Sequence, residues 1–127
     1  MVRLLFPRPP ALLLTHTSIT VGGAFPAVLD RLIKSAAALE PATRTALYTR
    51  CWWDSAGPTY YHQVAGLLGQ EIPKSQLLFG TDFPYAPSFV QTPSLNAILN
   101  TPLLTAAEKQ AVFVDNAKKL FDGKIQW

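Results

Sequence analysis

Short apolar runs alternate with amphipathic stretches along most of this chain. Three of the runs are short and continuously apolar, as in strands that are buried on both faces. These runs are Ala11–Thr15, Cys51–Asp54 and Gln76–Gly80. Because a helical pattern follows each of them, the sequence predicts an α/β fold in which helices cover parallel strands.

Apolar residues at helical spacing predict the helices between these strands. The first helix has the widest stripe, which consists of Phe25, Val28, Leu29, Leu32, Ile33 and Ala36. Further patterns predict helices at Ala42–Leu47, from near Tyr60 to Gly69, and at Ser94–Asn100. The last helix begins with a capping box formed by Thr105 and Glu108. Its predicted buried face consists of Phe113, Ala117, Leu120 and Phe121.

Polar side chains follow the predicted strands at the edge where parallel sheets usually bind ligands. His16 lies just after the first run, Asp54 ends the second, and Asp82 lies just after the third. Asp82 is a candidate metal ligand or general base, although an aspartate here could equally cap its own loop. His16 is a candidate general acid or base, or else a histidine that hydrogen-bonds to backbone. We expect Asp54 to orient a loop or a neighbouring ligand.

Arg31 lies on the face of the first helix opposite its apolar stripe, so it should point away from the sheet. This arginine is either a solvated surface residue or a contact to a carboxylate on a partner subunit. Gly22 and Gly23 could present free N–H groups to an anion, or simply form a tight turn before the helix. His62 is interpreted as a surface residue.

Length, charge, apolar runs and cysteine content limit the classes of protein to which this chain can belong. A chain of 127 residues predicts one domain, residues 1–127, in which residues 1–10 form an irregular lead-in. The net charge is +3, but the basic residues are scattered, which argues against a nucleic-acid partner. No apolar run is long enough to predict a membrane span. Cys51 is the one cysteine, which fits a reducing, cytoplasmic location and excludes an internal disulfide.

Four stretches together resemble the amidohydrolase-related family. They are "GGAFPAVLDRL", "WWDSAG", "LLFGTDFPYAP" and "NAKKLF", and "FGTDFPY" is the most specific of them. The resemblance is strongest to the branch that contains aminocarboxymuconate-semialdehyde decarboxylase and resorcylate decarboxylase. It implies a TIM (β/α)₈ barrel with a divalent metal, zinc or manganese, at the strand ends. It also implies non-oxidative decarboxylation of aromatic or muconate-type carboxylic acids, or a related hydrolysis.

The resemblance also assigns roles to individual residues. Asp82 matches the aspartate that binds the metal after the last barrel strand. His16 matches a histidine that orients or deprotonates metal-bound water. Arg31 matches an arginine that some members insert into the neighbouring subunit's site to hold a substrate carboxylate. The implied partners are a small carboxylic acid and either a second copy of the chain or a full-length relative.

The chain departs from the family pattern in two respects. Thr17–Val21 intervenes between His16 and Gly22, where the family has no such insertion. The family's first-strand H-x-H pair is missing, since His16 and His62 are the only histidines. A (β/α)₈ barrel also needs about 250 residues. We therefore expect a C-terminal portion of the barrel, about three βα units, that is inactive by itself. The alternative is an inactive truncated paralogue that acts as an oligomerisation partner.

Overall fold

The protein is an α/β structure with a parallel sheet. A computed structural model describes residues 17–20, 25–55 and 61–122. The strands are β1 (Thr17–Thr20), β2 (Cys51–Asp54) and β3 (Leu77–Leu78). The helices are α1 (Phe25–Ser35), α2 (Glu40–Thr49), α3 (Tyr61–Gly69), α4 (Ser88–Asn100), α5 (Ala106–Gln110) and α6 (Asn116–Phe121). The sheet order is β1-β2-β3, and both strand pairs are parallel, which confirms the predicted fold class at this level.

The strand that pairs with β2 on one side is β1, which the sequence analysis did not predict. The predicted strand Ala11–Thr15 lies outside the described residues. Residues 17–20 of the segment interpreted as an insertion form β1, whose register with β2 runs from Thr17 opposite Cys51 to Thr20 opposite Asp54. Threonine and isoleucine are β-branched, and this stiffness suits an extended strand. The segment Thr17–Thr20 is therefore part of the sheet and does not form a loop.

The other predicted elements are present, with changed lengths. The strand Cys51–Asp54 is confirmed, but the third strand is shorter than predicted because a 3₁₀ turn, Lys74–Gln76, precedes Leu77. The helix predicted from Ser94 begins at Ser88 and contains Pro93. None of the helices in the described ranges is long and apolar enough to cross a membrane.

Helix α1 buries only part of its predicted stripe. Leu29 and Ile33 are buried, whereas Val28 is exposed and Leu32 is 53% exposed. The side of α1 that carries Pro26 lies against α3, where a Cβ added to Gly66 would come within 3.1 Å of Pro26 Cβ. Val28 and Leu32 lie on the other flank of the helix. The apolar stripe is therefore wider than the surface that the described residues pack against.

The sheet separates two apolar clusters, because successive side chains of a strand point to opposite faces. Trp53 and Leu77 lie in the larger cluster, between the sheet and the helices α1, α3 and α4. Trp52 and Leu78 lie on the other face and pack against Leu120 of α6. Strand β2 is thus buried on both faces, as its continuous apolar run predicts.

A π-helical turn, Ala111–Asp115, joins α5 to α6, and the sequence pattern does not reveal it. This wider turn inserts an extra residue into the helical repeat and rotates the following face. The buried residues of the segment are Val112, Asn116 and Leu120, while Phe113 and Ala117 of the predicted face are only half-buried. The predicted capping box at Thr105 and Glu108 is confirmed.

The same helical segment covers the outer edge of β3. The Phe79 N–H donates to the Val112 carbonyl over 3.0 Å. Asn116 Nδ2 donates to the carbonyls of Leu77, over 2.8 Å, and Lys74, over 3.0 Å. In a parallel sheet these edge groups would otherwise need a neighbouring strand or water. The helix thereby fixes β3 and the loop that follows it.

The capping box makes the free energy of unfolding depend on pH in the acid range. The hydrogen bond from the Thr105 backbone N–H, and then the one from the Lys74 ammonium, lower the pKa of the Glu108 carboxyl from 4.5 to about 2. A lowered pKa contributes stability above the unfolded value, and this contribution is lost as the pH falls from about 4.5 towards 2. We expect Glu108→Gln, which keeps the acceptor of the capping box, to flatten the fall in melting temperature between about pH 5 and pH 2.

Glu71→Gln is the matched control, because the exposed carboxylate of Glu71 forms no ion pair with a described residue. Its melting temperature should follow the wild-type pH profile. Equal flattening in both variants would contradict the role of Glu108.

Candidate functional site

The carboxyl ends of the strands lie at one edge of the sheet, because all the strands run in parallel. Asp54 ends β2 and lies opposite Leu78 in the strand register. Asp82 lies in the loop that follows β3, so both aspartates belong to the segments that end at this edge. Parallel α/β proteins usually bind their ligands at this edge.

The loop after β3 is anchored at both of its ends. At its beginning, the hydroxyl of Ser55 hydrogen-bonds to the peptide groups of Gly80. At its end, Ala86 is buried, its N–H donates to the Asp82 carbonyl over 2.8 Å, and its own carbonyl accepts from Gln91 Nε2 over 3.2 Å. The peptide bond between Phe83 and Pro84 in this loop is cis. Asp82 therefore lies between two fixed points of the chain.

The carboxylate of Asp82 is not used to hold its own loop. The N–H of Phe83 bonds to Thr81 Oγ1 over 3.3 Å, and the turn is closed by the main-chain carbonyl of Asp82. The Asp82 side chain is exposed and makes no hydrogen bond or ion pair with a described residue. Its backbone has φ 58°, a left-handed conformation that aspartate tolerates better than most residues. The Asp82 carboxylate is thus not engaged by a described residue, and its role as a metal ligand stays a prediction.

Exposed aromatic residues follow Asp82 closely in the sequence. Tyr85 is 86% exposed, and Phe83 and Phe89 are also largely exposed. Large aromatic side chains that stand in water next to an available carboxylate are characteristic of a binding surface more than of a packed core.

The remaining candidate residues do not complete a site among the described residues. His16, Gly22 and Gly23 lie outside the described residues. Asp54 is half-buried and has an interaction within the structure, so it is not a free ligand. Arg31 is exposed on α1, as expected from its helical position, and His62 is exposed as predicted.

Two further observations concern the nucleophiles of this region and the size of ligand that it can enclose. Burial raises the pKa of the Cys51 thiol, which disfavours the thiolate that a nucleophile needs. A cavity beside the ends of β2 and β3, lined by Trp53, Ser55 and Ile98 among others, measures about 20 Å³. That volume holds about one water molecule, so the cavity is too small for a substrate.

The described residues do not fit a complete metal site. No group of three or more histidine, cysteine, aspartate or glutamate side chains within residues 17–20, 25–55 and 61–122 could hold an ion. A catalytic zinc usually has three protein ligands and a water. Asp82 can provide one ligand, and the others would have to come from outside the described residues.

Ser55 is the residue of this region that the sequence analysis missed. The sequence analysis gave it no role of its own, yet it is buried and joins β2 to the loop that carries Asp82. The sequence signal is weak, since a serine after a strand is common in turns. Its position directly after Asp54, at the edge where ligands bind, was the one available hint.

Parallel strands with covering helices and acidic residues at their carboxyl ends occur in several classes of α/β protein, among them the (β/α)₈ barrels. Residues 19–123 match the family model described as Amidohydrolase, and the chain belongs to that family. A crystal structure titled as that of an amidohydrolase II is similar to this chain, with a TM-score of 0.69 at 30% sequence identity. The match covers 81% of this chain but 34% of that one. No curated protein matches the chain.

Proposed function

We propose that this chain is the C-terminal part of a metal-dependent amidohydrolase-type enzyme and contributes Asp82 to the metal. The observation that carries the proposal is the free carboxylate of Asp82, held beyond β3 at the carboxyl edge of the sheet. The family membership supports it, because amidohydrolases are generally metal-dependent. The match to about a third of the amidohydrolase II chain supports the view that this chain is one part of a barrel.

The reaction we propose is the non-oxidative decarboxylation of an aromatic or muconate-type carboxylic acid, or a related hydrolysis. A bound zinc or manganese would supply a Lewis acid for the substrate and for water. Asp82 would hold that ion, and His16 would move a proton near it. Arg31 would bind a substrate carboxylate in the site of a neighbouring copy, since its guanidinium is exposed on α1.

A second candidate function is favoured by one observation. Within the described ranges, no three metal-ligating side chains lie together. A truncated paralogue that has kept the scaffold without the chemistry would have this property. Such a chain would act as an oligomerisation partner for a full-length relative.

The test is the metal content of the assembled protein. Wild-type chain and Asp82→Asn are incubated with zinc or manganese, separated by gel filtration, and analysed for metal in each fraction. We expect an oligomeric wild-type fraction that approaches one ion per chain, and at least about a tenfold lower content in Asp82→Asn, because the amide removes the charged ligand. Aromatic carboxylic acids are then tested for release of CO₂ by the metal-loaded fraction.

Asparagine is the matched substitution because it also tolerates a positive φ, whereas alanine would add backbone strain. The melting temperature of Asp82→Asn should therefore equal that of the wild type. Equal metal content in both proteins, or none in either, would contradict the proposed function. A wild-type protein that elutes only as a monomer would exclude the proposed role of Arg31.

A further inference from the structure

Ser55 makes an unusual pair of contacts with a single residue. Its side chain is nearly inaccessible, with 5% of the residue exposed. Its Oγ accepts a hydrogen bond from the Gly80 N–H over 3.1 Å and donates one to the Gly80 carbonyl over 3.2 Å. Its own backbone N–H donates to the Leu78 carbonyl over 3.1 Å. One residue thus holds the chain on both sides of Phe79.

These contacts continue the pairing of two strands beyond their ends. The backbone register between β2 and β3 ends with Asp54 opposite Leu78. The next backbone bond is the one from Ser55 N–H to Leu78, and after it the hydroxyl replaces the strand partner for Gly80. A hydroxyl suits this position because it is both a donor and an acceptor. A residue without one would leave two half-buried backbone groups of Gly80 without this partner.

Gly80, which is held by Ser55, lies two positions before Asp82 in the chain. The loop beyond it is closed by the bond from the Ala86 N–H to the Asp82 carbonyl. Ser55 hydrogen-bonds to Leu78 and Gly80, and it forms no hydrogen bond with Asp82 or Ala86. The protection of the Ala86 amide therefore reports on the loop conformation independently of the protection of the Gly80 amide.

We propose that Ser55 is a positioning residue, which fixes the conformation of the loop Gly80–Ala86 and so directs the Asp82 carboxylate towards the carboxyl edge of the sheet. Its importance for a metal rests on the proposed function, but its effect on the loop does not. Ser55 acts on the loop through Gly80, because the Ser55 hydroxyl hydrogen-bonds to Gly80 and not to the Asp82 carboxylate.

The experiment is amide hydrogen exchange followed by NMR on the metal-free chain, for wild type, Ser55→Ala and Ser55→Thr. We expect Ser55→Ala to accelerate exchange at both Gly80 and Ala86 by about tenfold or more, while the amides of α3 and α4 keep their rates. Threonine retains the hydroxyl, so Ser55→Thr should restore the protection of both amides. Ser55→Cys, which has a weaker donor and acceptor, should give intermediate rates and replaces the alanine variant if that variant does not fold.

Faster exchange at Gly80 alone would overturn the proposal, because it would show a lost bond without a change in the loop. Unchanged exchange at both amides would overturn it as well, and so would a failure of threonine to restore protection at Ala86. Since no metal is present, these results are separate from the metal analysis of Asp82→Asn. A loop that responds to Ser55 in a chain that binds no metal would support the positioning role and reject the proposed function.

Discussion

Replacing Trp53 with alanine is expected to lower the free energy of unfolding by about 3–5 kcal/mol. Trp53 is 1% exposed in the middle of the larger apolar cluster, and its ring lies 5.3 Å from that of Phe25. Removing the indole would leave a cavity between the sheet and the helices α1 and α3. Urea denaturation followed by circular dichroism measures the loss.

Comparing Trp53→Phe with Trp53→Ala distinguishes the contribution of the aromatic ring from that of the indole N–H. The indole N–H of Trp53 is buried and has no hydrogen-bond partner among the described residues, so phenylalanine removes an unsatisfied donor as well as some volume. We therefore expect Trp53→Phe to lose much less stability than Trp53→Ala. A phenylalanine variant as unstable as the alanine variant would show that the indole N–H makes an essential bond.

Replacing Asn116 with alanine is expected to cost about 2–4 kcal/mol, because two backbone carbonyls lose their donor. The buried Asn116 amide bonds to Leu77 and Lys74, at the edge of β3 where no further strand is described. A carbonyl that is buried without a donor costs more than a hydrogen bond contributes when it is made. Urea denaturation again provides the measurement.

Asn100→Ala is the matched control for Asn116. Asn100 ends α4 and is exposed, so its replacement should change stability by no more than about 0.5 kcal/mol. Equal losses in the two variants would contradict the role of Asn116 at the strand edge. An Asn116→Asp variant should be at least as unstable as the alanine variant at neutral pH, because a carboxylate would face two carbonyl acceptors.

Local sequence patterns predicted the elements that depend mainly on residues close together in the sequence. The strand Cys51–Asp54 is present as predicted because its uninterrupted apolar run suits a strand that is buried on both faces. The capping box at Thr105 is present because its two hydrogen bonds form between residues close in sequence. The placement of Asp82 after an apolar strand, and the resemblance around it, likewise depended only on neighbouring residues.

The local pattern did not identify Thr17–Thr20 as a strand of the sheet. Ala11–Thr15 is more apolar than Thr17–Thr20, so it was the stronger strand candidate by composition. The structure pairs Thr17–Thr20 with β2, because register is decided by backbone hydrogen bonds to a strand more than thirty residues away in sequence. The role of His16, which was argued from a strand that ended before it, remains a prediction.

By itself, the sequence determined the alternation of strands and helices, the position of the acidic residues after the strands, and the family. Only the tertiary structure decided the π-helical turn, the bond from Asn116 to β3, and the contact of Ser55 with Gly80. The two side-chain bonds join residues that are 39 and 25 positions apart in sequence, and the π-helical turn is a change in backbone hydrogen bonding. The periodicity of apolar side chains, which predicts helices and strands, reports neither of these features. That the Asp82 carboxylate makes no hydrogen bond or ion pair with a described residue is likewise seen only in the structure.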